Sequence, residues 1–390
     1  MQKLTKYKVF TRIFYYANVK VMVKFMRKKE IFTSKAFLPP IDVYVKYFKK
    51  AYKNNTLTDH GVLLQELEDK LKKYLKVKDV QCVTSATTGL QMAIKALGIE
   101  EGSEIITTPF SYVATTTAIL AEKCEPVFVD IEPDNFTIDA DKIEAAITPK
   151  TKAIMPVHIF GYACNIEKID EIAKKHGLKV IYDAAHAFAA EYKGEPIVNY
   201  GDISVVSLQE SKLFHMGEGG AVFTQSEELS RQIDLIKKCG HEDDNFIRDG
   251  INARVSEMHA AMGLANMEYI DKIIEKRKKL SEYYDELLGD KVITPKKQAD
   301  LNYKYPYYVI ALKSVEEMNK VMNVLCEEGI YPWHCYYPTL NTLKYLKKYQ
   351  PCPTAEDICA RMLMMPLYYD LEKSDVKRTC EILLKTLGER

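Results

Sequence analysis

These 390 residues hold no CxxC pair, no apolar run near the roughly 20 residues needed to cross a bilayer, and no excess of either charge. Each absence removes a class of protein. The nine cysteines (82, 124, 164, 239, 326, 335, 352, 359 and 380) are odd in number and scattered, the pattern of reduced thiols in a cytoplasmic protein. His334-Cys335 is the one adjacent pair of soft ligands; with no second pair nearby it reads as packing in an aromatic stretch, and no metal is expected. The balance of 55 basic against 54 acidic residues gives no global field toward nucleic acid or membrane, so an anionic ligand must be held locally. Acid is also missing locally: residues 1–30 carry nine Lys or Arg and no Asp or Glu before Glu30, with aromatics interleaved. Basic and aromatic residues together suit anionic lipid, but Lys20 and Lys24 interrupt the apolar stretch and no small-residue cleavage site follows. Residues 1–35 therefore read as a dispensable extension, ahead of a surface anchor and of a signal peptide.

What is present, from about residue 60, is alternation of helix and strand. Leu63, Leu64, Leu67, Leu71 and Leu75 recur at helical spacing, and Thr88 to Leu97 forms a second helix stopped by Gly98. Strand-like runs follow at Glu104–Thr108, Pro126–Asp130, Lys152–Val157, Lys179–Asp183, Ile203–Ser207 and Gly220–Thr224, with room for crossover helices between most of them. This pattern predicts an α/β fold, a mostly parallel sheet sandwiched by helices. After about residue 255 the pattern changes to one long helix with Met258, Ala261, Met262, Ala265 and Ile270 on one face, then a smaller α+β unit. That unit has a strand candidate at Tyr303–Leu312 and helices at Val315–Glu328 and Val376–Leu387. The division expected is an extension (1–35), a large domain (36–265) and a small C-terminal domain (266–390).

Two of these runs end in chemistry. Asp183 closes Lys179–Asp183, and Lys212 follows Ile203–Ser207 in a stretch that leads to Gly217-Glu-Gly-Gly220. Buried parallel strands would deliver both to the same sheet edge, where α/β proteins place ligands. An aldehyde cofactor such as pyridoxal phosphate needs an amine for imine formation and a carboxylate that keeps its pyridine nitrogen protonated. A loop lysine and a helix-capping aspartate are the plain alternatives, and the glycine turn beside Lys212 favours the functional reading. His186, three residues past Asp183, either hydrogen-bonds the cofactor's phenolic oxygen or orients Asp183, or is merely packed. Thr84-Ser-Ala-Thr-Thr88 follows a strand candidate, Asp79–Val83, and opens a helix, so free amides there suit a phosphate, although helix capping is the default. Ser207 offers a further hydroxyl. Tyr112 follows Pro109-Phe-Ser and either lies flat on a cofactor face or packs as a surface tyrosine. Asn252 and Arg254, after Gly250, suit an anion or else a surface salt bridge to Glu257.

In order along the chain, these segments resemble the DegT/DnrJ/EryC1/StrS family of nucleotide-sugar aminotransferases. The motifs that carry the likeness are Leu57-Thr-Asp-His-Gly61, Ser85-Ala-Thr87, Pro109-Phe-Ser-Tyr-Val-Ala114, Pro126-Val-Phe-Val-Asp-Ile131, Thr151 to Gly161, Asp183-Ala-Ala-His186, the Lys212 segment and Asn252-Ala-Arg254. The resemblance implies a fold type I aminotransferase with a seven-stranded sheet, a homodimer with shared active sites, and pyridoxal phosphate cycling through pyridoxamine phosphate. It implies that Lys212 forms the imine, Asp183 pairs with the pyridine nitrogen, Tyr112 stacks on the ring, and Ala86, Thr87 and Ser207 hold the phosphate. Asn252 would reach the cofactor of the partner subunit. Ala86 departs from the family's usual glycine, which puts the loop geometry in question. One branch replaces the lysine with histidine and dehydrates sugars; the retained Lys212 implies amination. Glutamate is the implied donor and C4 of a dTDP- or UDP-linked 4-keto-6-deoxyhexose the implied acceptor, with C3 amination or a non-catalytic regulatory protein as alternatives.

Overall fold

The computed structural model describes residues 29–346 and 348–389; the basic stretch 1–28 lies outside them. Seven strands form the central sheet: β1 (Gln81–Val83), β2 (Glu104–Thr107), β3 (Glu125–Phe128), β4 (Thr151–Met155), β5 (Lys179–Asp183), β6 (Ile203–Ser207) and β7 (Gly220–Phe223). Their order is β1-β7-β6-β5-β4-β2-β3, and only β7 runs antiparallel to its neighbours.

The strands read as continuous apolar runs because both faces are covered. Successive side chains still divide between two cores, as the two-residue period requires. Ile105, Ala153, Ile181 and Val205 pack on one face with Leu90 and Ala93 of the helix Ala86–Ala96. Ile106, Ile154, Val180 and Val206 pack on the other with Ile169 of the helix Ile166–His176 and Leu67 of Val62–Leu75. Gly89 lets the first of these helices lie close to the sheet, since a Cβ there would come 2.8 Å from Val205 Cγ1.

The single long helix expected after residue 255 is two helices, Glu257–Met267 and Ile270–Leu288, broken at Tyr269. They pack against different layers. The first lies on Ile41–Asn54 and Val62–Leu75, the second on the closing helix Lys373–Leu387, and one straight rod cannot serve both. The inner face also differs from that expected: Ala260, Ala261, Leu264 and Ala265 are buried, whereas Met258 is 45% exposed.

A second core, with Tyr284, Ile310, Val321, Leu325, Leu363 and Val376, holds the C-terminal unit together around the antiparallel pair Tyr308–Ala311 and Met362–Met365. Residues 29–35, expected within the N-terminal extension, are built into this unit. Ile31–Phe32 pairs in parallel with Ile330–Tyr331, and Ile31 is fully buried. The return stretch with Cys335, Tyr336, Leu340, Ala355 and Ile358 instead joins the core of the large sheet, which seats it against the sheet's C-terminal edge.

Candidate active site

Strands β5 and β6 lie side by side in parallel with Asp183 opposite Val205, so the chain leaves both on one edge. There Asp183 and Lys212 line the same cavity, of about 830 Å³. Asp183 is 4% exposed. Its Oδ2 accepts from Thr115 Oγ1 at 2.8 Å and its Oδ1 from the Ala185 amide at 3.1 Å. Burial pushes the carboxyl upward from its ordinary value, opposed by these two hydrogen bonds and the Lys212 charge. Lys212 Nζ donates to Tyr307 Oη at 3.1 Å. The amine is thus held by a residue of the C-terminal half.

The end of the cavity beside the start of the helix Ala86–Ala96 is shaped by Gly220. This residue pairs with Val83 of β1 on one side and with Ser207 of β6 on the other. A Cβ on Gly220 would lie 2.6 Å from the Ala86 nitrogen, so only glycine lets β7 pass so near the start of the helix. Ser85 caps that helix by accepting from the Thr88 amide at 3.1 Å. The amides of Ala86 and Thr87 keep no intrahelical acceptor and border the cavity with Ser207. Ala86 has no positive φ, so an alanine in place of the family's glycine leaves backbone donation intact.

His186 has both ring nitrogens engaged away from Asp183. Nδ1 accepts from the Phe160 amide at 3.1 Å, and Nε2 lies 3.3 Å from Tyr336 Oη. An amide donor requires Nδ1 to be bare; burial and the Lys212 charge hold the ring well below its ordinary pKa, so the neutral ring carries its proton on Nε2. Its ring lies parallel to Phe160 and edge-on to Tyr307. Tyr112 borders the same cavity and is 58% exposed.

Asn252 does not join this cavity. It is exposed, accepts from Arg254 Nε at 3.2 Å, and Arg254 pairs with Asp59. The alternative of an Arg254 salt bridge to Glu257 is not formed. Glu257 is fully buried and accepts from the Leu63 and Leu64 amides at 2.8 and 3.0 Å, capping the helix Val62–Leu75 from a distant segment. Gly61 precedes that helix because a Cβ would meet Glu257 Cδ at 2.6 Å.

Thr115, Tyr307, Tyr336 and Trp333 were not singled out from sequence. Thr115 had a signal, since it stands in the first turn of the helix Ala114–Ala121 that follows Tyr112. The aromatics had none, among 26 tyrosines.

The DegT/DnrJ/EryC1/StrS aminotransferase family profile matches residues 40–384. The chain belongs to this family. It is 34% identical over 370 residues to the dTDP-4-amino-4,6-dideoxy-D-glucose transaminase of Shigella dysenteriae, covering 93% of this chain and 99% of that one. The enzyme of the same name from Escherichia coli is 36% identical over 371 residues, covering 92% and 99%. Among solved structures, DesI with its TDP-sugar product superimposes with a TM-score of 0.86 at 27% identity, over 92% of this chain and 94% of that one. Helicobacter pylori PseC, an aminotransferase of pseudoaminic acid biosynthesis, gives 0.84 at 26%, over 92% and 100%.

As a DegT-family transaminase this protein is a pyridoxal-phosphate enzyme by family, and its own residues fit that cofactor. The free amides beside Gly220 and the Ser207 hydroxyl suit a phosphate, the buried Asp183 carboxylate suits a ring nitrogen, and the Lys212 amine suits an aldehyde carbon.

Proposed function

We propose that this aminotransferase moves the amino group of glutamate to C4 of a dTDP- or UDP-linked 4-keto-6-deoxyhexose. The observation that carries the reading is the Lys212 primary amine, held in one cavity with a buried carboxylate and a helix N-terminus. The choice of acceptor is supported by the two dTDP-4-amino-4,6-dideoxy-D-glucose transaminases related over nearly their whole lengths.

Bound pyridoxal phosphate supplies an electron sink for the bond broken at the amino-acid carbon and an amine carrier between the two half-reactions. In this proposal the chain's own groups do the rest. The Ala86 and Thr87 amides and Ser207 bind the phosphate, Asp183 holds a proton on the pyridine nitrogen, and Tyr112 covers one ring face. Neutral His186, locked by Phe160 and Tyr336, presents its ring to the site without competing for the Asp183 proton. Lys212 Nζ would carry a proton between the substrate carbon and the cofactor's C4′, forward in the glutamate half-reaction and back to C4 of the sugar in the other, a positioned transfer worth about 10²–10⁴-fold. Two copies of the chain share their sites, with exposed Asn252 completing the phosphate site of the partner. The reaction takes place in the cytoplasm.

Amination at C3 is the second reading, favoured by the 32% identity to the UDP-2-acetamido-2-deoxy-3-oxo-D-glucuronate aminotransferase of Pseudomonas aeruginosa over 83% of this chain. Incubation with glutamate and each of the 3-keto and 4-keto nucleotide sugars, followed by product mass and regiochemistry, separates the two. Product aminated at C4 is expected, and Lys212→Ala should lose at least about 10²-fold in rate. An alanine variant as fast as wild type would sink the assigned role.

A further inference from the structure

A second cavity, of about 350 Å³, shares Tyr307 with the cavity that holds Lys212. One wall is a stripe of the helix Ile270–Leu288 (Ile274, Lys278, Ser281 and Asp285), spaced by three and four residues as one helix face requires. The opposite wall is aromatic, from Tyr162, Tyr303, Tyr305 and Tyr307. Nothing in the transamination scheme uses this space.

Its polar groups are unequally matched. Asp285, the only carboxylate in the lining, already accepts from Tyr308 Oη at 2.9 Å and from Lys297 Nζ at 2.8 Å. Gln298 is closed on the Ala163 backbone through both ends of its amide. The Ser281 hydroxyl, in a residue 5% exposed, has no hydrogen-bond partner among the described residues. Lys304 also lines the cavity without an ion-pair partner among them, and its burial pulls the ammonium below its ordinary pKa. The cavity therefore carries donors and positive charge in surplus over acceptors. Unmatched buried donors are costly until something accepts from them.

We infer that this cavity is a binding site for a ring-sized organic anion, its ring against the tyrosines and its charge on Lys304 and Ser281. The volume suits one aromatic or sugar ring with a carboxylate or phosphate. Tyr307 lines both this cavity and the one that holds Lys212, so occupancy of the second cavity bears directly on the residue that holds the Lys212 amine.

Calorimetric titration of the holoenzyme with 4-hydroxybenzoate and with phenyl phosphate tests the site, with neutral 4-hydroxybenzamide as control. At least one anion should bind saturably at one site per chain, about tenfold or more tighter than the amide. Lys304→Gln and Ser281→Val should each weaken it by about fivefold or more, with turnover unchanged and the melting temperature not lowered. The inference is overturned if neither anion saturates, if the amide binds equally well, or if both variants bind as wild type. Competitive displacement by the nucleotide sugar would also overturn it, because the anion would then occupy the Lys212 cavity.

Discussion

Replacing Thr115 with valine removes the one side-chain hydroxyl that donates to Asp183 and keeps the volume of the residue. The bond is 2.8 Å long, Thr115 is fully buried and Asp183 nearly so. A hydrogen bond to a charged group contributes about 1.5–3 kcal/mol, and about 1.4 kcal/mol is tenfold in an equilibrium. The ion pair between Asp183 and a pyridinium should weaken by the same amount, so cofactor affinity should fall about tenfold to a hundredfold. Ser111 adds a second loss. Thr115 gives its proton to Asp183, so Ser111 Oγ, 2.8 Å away, must be the donor to Thr115. In the valine variant that buried hydroxyl is left without its acceptor, which costs about 1–3 kcal/mol of stability.

The pH dependence has a defined sign. Burial holds the Asp183 carboxyl above its ordinary value of 3.8, so in the cofactor-free protein the group is destabilising once the unfolded chain ionises. That penalty is absent below the unfolded value, grows as pH rises toward the folded value, and is constant above it. Losing Thr115 raises the folded value further and widens the window. The stability gap between wild type and Thr115→Val should therefore be larger near about pH 7 than near about pH 4, as read by urea unfolding. The acid limb of kcat/KM should move to higher pH in the valine variant and return in Thr115→Ser. Cofactor binding and an acid limb both unchanged in Thr115→Val would refute the reasoning.

Gly220→Ala should cut cofactor affinity by about tenfold or more while the fold persists, because the new methyl must displace the Ala86 amide only 2.6 Å away. Unchanged affinity in equilibrium dialysis would show that those amides do not hold the phosphate. Glu257→Gln replaces an acceptor with a donor against the Leu63 and Leu64 amides, and should destabilise the protein by about 1.5–3 kcal/mol in urea unfolding. A variant as stable as wild type would mean that the carboxylate does not cap the helix. Tyr307→Phe removes the acceptor 3.1 Å from Lys212 Nζ and should lower kcat about tenfold with little change in KM for the nucleotide sugar. An unaltered kcat would reduce Tyr307 to a wall.

Strands β5 and β6 were legible to the residue because a strand buried on both faces must be a run of apolar side chains, and its polar end marks the sheet edge. The same logic brought Asp183 and Lys212 together before any coordinates. It failed after residue 255, where two helices follow one another without glycine or proline between them. Periodicity there reports a helix but not which of two layers it faces, and Tyr269 breaks the rod because the layers diverge. Glu257 was misread for a related reason: an acid beside Arg254 looks like a surface pair, and only the approach of Gly61 from a distant segment makes it a buried cap.

The partners of Asp183, Lys212 and His186 were hidden in unequal degree. Thr115 stands in the first turn of the helix that follows Tyr112, so the segment singled out for Tyr112 leads directly to it. Tyr307 and Tyr336 come from the C-terminal half, 95 residues beyond Lys212 and 150 beyond His186, and no local spacing encodes such a meeting. This asymmetry has a functional consequence. The acid is held by the large domain's own helix, through Thr115, and the histidine in part by the Phe160 amide, whereas the amine is held by a tyrosine that arrives with the returning chain. A shift of that chain would therefore release Lys212 while leaving Asp183 in place and His186 still bonded to the Phe160 amide, and it makes the seat of the amine, not of the acid, the adjustable part of the site.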